Sequence, residues 1–212
     1  AININSNLYE AFQHLGVIYL KKGDYDKAIT VFQEVLHIKP NYIDALFALG
    51  TAYLAKKDYD TVISYFQQLI TIDQNNSLYF SNLGNAYSAK KDYDKAIEHY
   101  QKAIAIKPDY ASAFNSWGST LLKMNKIEDA KIKLEKSIAL GNADTANANL
   151  GHIFLIEQKE TAALQHYRKS LAAFEDKNEF WELMKEDFED LNLEQYGISK
   201  AYYEEVLEKI KL

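Results

Sequence analysis

Five dipeptides, Leu15-Gly16, Leu49-Gly50, Leu83-Gly84, Trp117-Gly118 and Leu150-Gly151, recur at intervals of 34, 34, 34 and 33 residues. A fixed period of this length specifies a stack of like units, because one such unit cannot cover its own apolar face and must bury it against the next. Other positions keep the same beat. Three residues after each Gly stands Tyr19, Tyr53, Tyr87, Leu121 or Phe154, and twelve after it Ala28, Val62, Ala96, Ala130 or Ala163. Four further on comes a large residue: Phe32, Phe66, Tyr100, Leu134 or Tyr167. The small residues allow two helices to approach closely, and the large ones fill the space between successive units.

Composition agrees with long helices. The chain has 212 residues, 48% of them apolar, with only 2 prolines and 8 glycines to interrupt a helix. Between the paired helices lie Gly23-Asp24-Tyr25-Asp26, Lys57-Asp58-Tyr59-Asp60 and Lys91-Asp92-Tyr93-Asp94. These turns are expected to place a capping Asp and an acidic first turn at the start of each second helix.

The pattern resembles the tetratricopeptide repeat. The third unit carries it most fully, in Phe80, Leu83-Gly84, Tyr87, Ala96, Tyr100, Ala103 and Pro108. The resemblance implies an all-α, right-handed solenoid of about five helix-turn-helix repeats of 34 residues. Five units follow, 9–42, 43–76, 77–110, 111–143 and 144–172, preceded by an extended N-terminal arm, 1–8. The fourth and fifth depart from the pattern, with Asn142 in place of Pro and Ser137 and Ser170 in place of the second Ala, and looser stacking is expected there. Residues 173–212 break the period and read as acidic capping helices that cover the last repeat. Acidic residues crowd 175–194 against Lys177 and Lys185, Phe180, Trp181, Leu183, Met184, Phe188 and Leu191 recur at helical spacing, and Asn192 with Gln195 reads as a capping box.

The net charge of -6, with no basic face, argues against nucleic acid. No apolar run is long enough to cross a membrane and no signal peptide is evident, so a cytoplasmic location is expected. With no cysteine there is no thiolate site or disulfide. His14, His37, His99, His152 and His166 show no metal-ligand spacing, and no phosphate loop, zinc helix or nucleophile elbow is present. The expectation is a non-catalytic chain without cofactor or metal.

The resemblance further implies that the second, fifth, sixth, ninth and twelfth positions of each first helix line a concave groove. The candidate peptide contacts there are Gln13, Phe47, Thr51, Leu54, Asn82, Asn85, Asn115, Ser119, Asn149 and His152. Carboxamides both donate and accept, so a row of them can follow the backbone of an extended peptide with little regard to its side chains. Asn82 and Asn149 resemble the asparagine ladder of the O-linked N-acetylglucosamine transferases, interrupted by Ala48 and Ser116. The Lys/Arg clamp of the co-chaperone members is missing, with Gln13, Val17, Ala48, Leu78 and Asn82 at its positions. Glu10 and Asp44 instead favour a neutral to basic peptide or partner helix. Two rivals stand beside this scaffold reading: a self-associating assembly protein, and the substrate-selecting module of a larger enzyme.

Overall fold

The computed structural model describes residues 2–211. Among them regular structure is helical throughout. The paired helices are α1 (Ile2–Lys21) with α2 (Tyr25–Ile38), α3 (Ile43–Ala55) with α4 (Tyr59–Ile72), α5 (Ser77–Ala89) with α6 (Tyr93–Ile106), α7 (Ala111–Lys123) with α8 (Ile127–Ala139), and α9 (Asp144–Ile156) with α10 (Glu160–Ala173). Then come α11 (Lys177–Asp190), a short 3-10 turn (Leu193–Tyr196) and α12 (Lys200–Glu208).

The chain divides into two compact units, the first ending at Ile106 and the second starting at Lys107. The first holds three helix pairs. The second holds two, together with α11 and α12, so the C-terminal helices share a body with the fourth and fifth repeats. Residues 2–8 do not form the expected arm, because α1 already begins at Ile2. No Pro or Gly stands in that stretch to stop it. Ala1 lies outside the described residues.

Within the first unit, α2 and α4 are each packed between their partner helix and the next pair. Ala28, Phe32 and Val35 cluster with Ala45, Leu49 and Ala52 of α3. Val62, Phe66 and Leu69 do the same with Tyr79, Leu83 and Ala86 of α5. The periodic glycines have the reason the spacing suggests. A Cβ on Gly16 would lie 2.7 Å from the Phe32 ring, and one on Gly84 2.6 Å from the Tyr100 ring. Each pair closes only because that atom is absent.

The turn within every pair contains one left-handed residue: Gly23 (φ 74), Lys57 (φ 59), Lys91 (φ 63), Asn125 (φ 60) or Gln158 (φ 59). Only the first is glycine, so the other four hold a conformation that L side chains adopt at a cost. Capping after these turns is less uniform than expected. Asp58 accepts from the Thr61 N–H at 3.3 Å and Asp92 from the Lys95 N–H at 3.5 Å. Asp24 makes no such cap and binds the Lys27 ammonium at 2.6 Å. Exposed pairs Lys56–Asp26 and Lys90–Asp60 link successive repeats of this unit.

In the second unit, the two serines that replace alanine are fully buried. Ser137 turns its hydroxyl to the Ala111 carbonyl at 2.8 Å, which satisfies it inside the core. Helix α11 is capped by Asp176, which accepts from the Asn178 N–H, and buries Phe180, Met184 and Phe188. The expected capping box at Asn192 is not formed. Asn192 is itself left-handed (φ 48) and makes no side-chain cap, while Gln195 donates to the Leu191 carbonyl at 3.2 Å. The tight reversal after α11 takes the side chain away from the next helix. Ser199 opens α12 instead, accepting from the Tyr202 N–H. No helix among the described residues is long and apolar enough to cross a membrane.

Candidate interaction face on the first helices

The candidate contacts fall on α1, α3 and α5 in the first unit and on α7 and α9 in the second, and the two sets differ in what they leave open. In the first unit the face is accessible. Val17 is 38% exposed and Leu78 40%, and Thr51 is exposed beside half-buried Phe47 and Leu54. Phe47 meets the Phe66 ring edge-on at 5.7 Å, and Leu54 packs on the same cluster. They are therefore edges of the core that also show at the surface, which is how an apolar anchoring site is built.

The polar candidates of this unit are partly engaged already. Gln13 accepts from the Tyr42 hydroxyl at 2.8 Å and donates to Asp44 at 3.2 Å, tying the first pair to the second. Asn82 donates to the Leu78 carbonyl one turn earlier at 2.9 Å. Asn85 accepts from the Tyr100 hydroxyl at 2.9 Å. Each of the last two bonds uses one half of the amide. The acceptor of Asn82 and the donor of Asn85 are the halves suited to a ligand backbone. Glu10 and Asp44 are exposed and make this end of the face acidic.

In the second unit the amides bond to each other. Asn149 donates to the Asn115 carbonyl oxygen at 3.2 Å, and Asn115 donates to the Thr145 hydroxyl at 3.1 Å. The pair expected from the resemblance to face a ligand is thus a bridge between α7 and α9, and Asn149 is only 5% exposed. Ser119 is half-buried. His152 is 0% exposed, so neither it nor Asn149 is open to a peptide. The reason is tertiary: α12 brings the Tyr203 hydroxyl to within 2.9 Å of His152 Nε2, and the His152 ring also packs edge-on against Tyr167 at 5.4 Å.

Around His152 lies a buried polar cluster that the periodic pattern does not announce. Asp187 Oδ2 of α11 stands 3.9 Å from His152 Nδ1. Tyr203 also donates to the Met184 carbonyl at 3.2 Å, and Lys123 of α7 pairs with Asp190 at 3.1 Å. Burial holds the His152 imidazole down to about 3. It pushes the Asp187 carboxyl up to about 7, partly offset by the Lys123 charge. His152 is therefore kept neutral in the fold, and Asp187 keeps its proton until the pH approaches about 7. One signal in the sequence does point to Asp187: it lies three residues after Met184 and seven after Phe180, on the apolar stripe of an otherwise acidic helix. Tyr203 carries no comparable mark. Among the described residues no group of three or more His, Cys, Asp or Glu side chains is placed to hold a metal ion.

Against known families, residues 77–110 and 43–76 match the tetratricopeptide repeat, and residues 16–57 match the TPR repeat. No curated protein sequence matches the chain significantly. Solved structures do. A thermophilic TPR protein of Thermus thermophilus, TTC0263, superposes with a TM-score of 0.71 at 21% identity, over 81% of this chain and 94% of that one. Pseudomonas aeruginosa pilF gives 0.70 at 21% identity, over 97% and 99%. MamA from Desulfovibrio magneticus gives 0.59 at 25% identity, over 62% and 75%. At these identities the likeness is one of fold.

Proposed function

Since the chain belongs to the tetratricopeptide-repeat family, whose members are in general protein-interaction scaffolds, we propose that it is a non-catalytic scaffold holding an extended peptide or partner helix. The ligand lies against α1, α3 and α5. The observation that carries this reading is the open face of the first unit, where Val17 and Leu78 are exposed beside Phe47 and Leu54, and the amides of Asn82 and Asn85 each keep a half suited to a peptide backbone. Apolar anchors fix a ligand side chain, and the amides follow its main chain. Glu10 and Asp44 favour a neutral to basic sequence. Fold alone does not choose the partner.

The test is a photo-crosslinking side chain placed at Thr51, on this face, and in a second protein at Ile132, which is 60% exposed on α8. The reading expects one polypeptide from the source lysate to be captured at Thr51 and not at Ile132, and its capture to fall when Leu78 is replaced by Glu. Equal capture at both sites, or none at Thr51, refutes it.

Self-association is a second reading, resting on Leu15 (37% exposed) and Ile18 (48%), which lie on another side of α1. Pairing of these residues between two copies would bury them. Light scattering across a concentration series decides it, since a constant monomer mass ends this reading.

A further inference from the structure

The ninth position of the first helix is exposed at Val17 and Thr51 and half-buried at Asn85 and Ser119, yet wholly covered at His152. What covers it is the chain's own C-terminal segment. Tyr203 of α12 reaches His152, and Phe188 of α11 packs ring to ring with Tyr203 at 5.2 Å. Aromatic side chains carried on a helix thus fill, on α9, the position equivalent to the one left exposed at Val17 and Thr51 in the first unit.

The docking is imperfectly satisfied. His152 Nδ1 and Asn149 Oδ1 are buried without a hydrogen-bond partner. The 3.9 Å from Nδ1 to Asp187 is too long to supply one. The groups facing His152 are Tyr167 from α10, Asp187 from α11 with Lys123 of α7 beyond it, and Tyr203 from α12. Burial lowers the His152 imidazole and raises the Asp187 carboxyl, and both regain their ordinary ionisation once water reaches them. Helix α12 has nine residues. Its outer contacts are few: Glu160 with Tyr202 and Lys209, and Arg168 with the Lys209 carbonyl. A notch between α11 and α12, lined by Phe188, Tyr203 and Leu207 among others, leaves this packing incomplete. A short element with unmet polar groups beneath it is the part of a domain that opens first.

We propose that α11 and α12 act as an internal ligand, a lid that occupies the partner-binding face of the fifth repeat and leaves it by a local opening in which α9 and α10 stay folded. Calling the covered surface a partner-binding face rests on the scaffold reading; the opening itself does not. A partner that presents an aromatic residue from a helix would compete with Tyr203 for the same place. Within the first unit the equivalent positions, Val17 and Thr51, are exposed.

The experiment is amide hydrogen exchange on the full chain, without any partner, in the wild type and in Tyr203→Ala. In the wild type the amides of Tyr203 and Val206 are expected to be at least tenfold less protected than those of Ile153 and Tyr167. In Tyr203→Ala, α11 and α12 lose protection by about a hundredfold or more while α9 and α10 keep theirs, and the His152 ring, followed by NMR, titrates near its ordinary imidazole range. Equal protection of all four helices in the wild type, or their joint loss in the variant, makes the second unit one cooperative body and overturns the lid. The exchange is read without a partner, so a failed crosslink at Thr51 would count against the scaffold reading and leave this result standing.

Discussion

Replacing Asp187 with Asn tests the buried cluster through its pH dependence. The carboxyl is raised from 3.8 to about 7 by burial, so the folded chain keeps a proton there that the unfolded chain has released. The stability Asp187 allows is fully present below pH 3.8 and is lost as the pH rises through about 7. His152 runs the other way. Its imidazole is lowered from 6.5 to about 3, so its stability is present above pH 6.5 and is lost as the pH falls through about 3. Between pH 3.8 and 6.5 the two slopes oppose each other, because the folded chain holds on Asp187 the proton that the unfolded chain holds on His152. The wild type is therefore nearly flat in this window as far as this pair is concerned. Asparagine removes one arm and keeps the shape. The difference in unfolding free energy, variant minus wild type, should grow by about 1.4 kcal/mol per pH unit from pH 4 to 7 and then level off. Its total reaches about 2–4 kcal/mol, the lower figure allowing for the 18% of the Asp187 side chain that water already reaches. Urea titrations followed by Trp181 emission in α11, at half-unit steps from pH 4 to 8, measure this difference directly. A difference that does not change with pH would mean that Asp187 is already ionised in the fold throughout this range. A difference that falls with pH would refute the argument outright.

Gly151→Ala should destabilise by about 1–3 kcal/mol, because the new Cβ would meet the Tyr167 ring more closely than at any other repeat, and that ring is fixed between His152 and Tyr203. Gly50→Ala, where a single Phe66 ring atom lies inside 3.0 Å, should cost less, and melting temperatures of the two variants give the order. Lys91→Gly should stabilise by about 0.5–1 kcal/mol by relieving a left-handed lysine (φ 63). Gly23→Lys (φ 74) should cost a similar amount, and thermal unfolding of both distinguishes turn strain from a charge effect.

Sequence alone determined the repeat and nearly every helix, because each unit is built from contacts between residues a few turns apart and the same contacts return every period. Gly84 against Tyr100 and Ala28 beside Phe32 are legible without coordinates, since only small residues let two helices close that far. The left-handed turns were half legible. Gly23 announces one and Asn125 is a residue that tolerates it, whereas Lys57, Lys91 and Gln158 occupy equivalent turns with no residue that marks them, each closed by backbone hydrogen bonds such as that from the Asp58 N–H to the Tyr53 carbonyl. The interaction face was read by assuming that every first helix shows the same positions to solvent. That holds for Val17, Thr51 and Leu78. It fails at His152, because the C-terminal helices reach past the end of the last repeat onto its first helix, and at Asn149, which is buried and bonded to Asn115. Nor could it foresee that Asn115 and Asn149 would satisfy each other, since the choice between a neighbouring amide and a ligand depends on distance across the stack. What the tertiary structure decided, then, is which part of a repeated surface stays open. Burial against a remote helix is a contact between residues as far apart in sequence as His152 and Tyr203, and no local pattern encodes it.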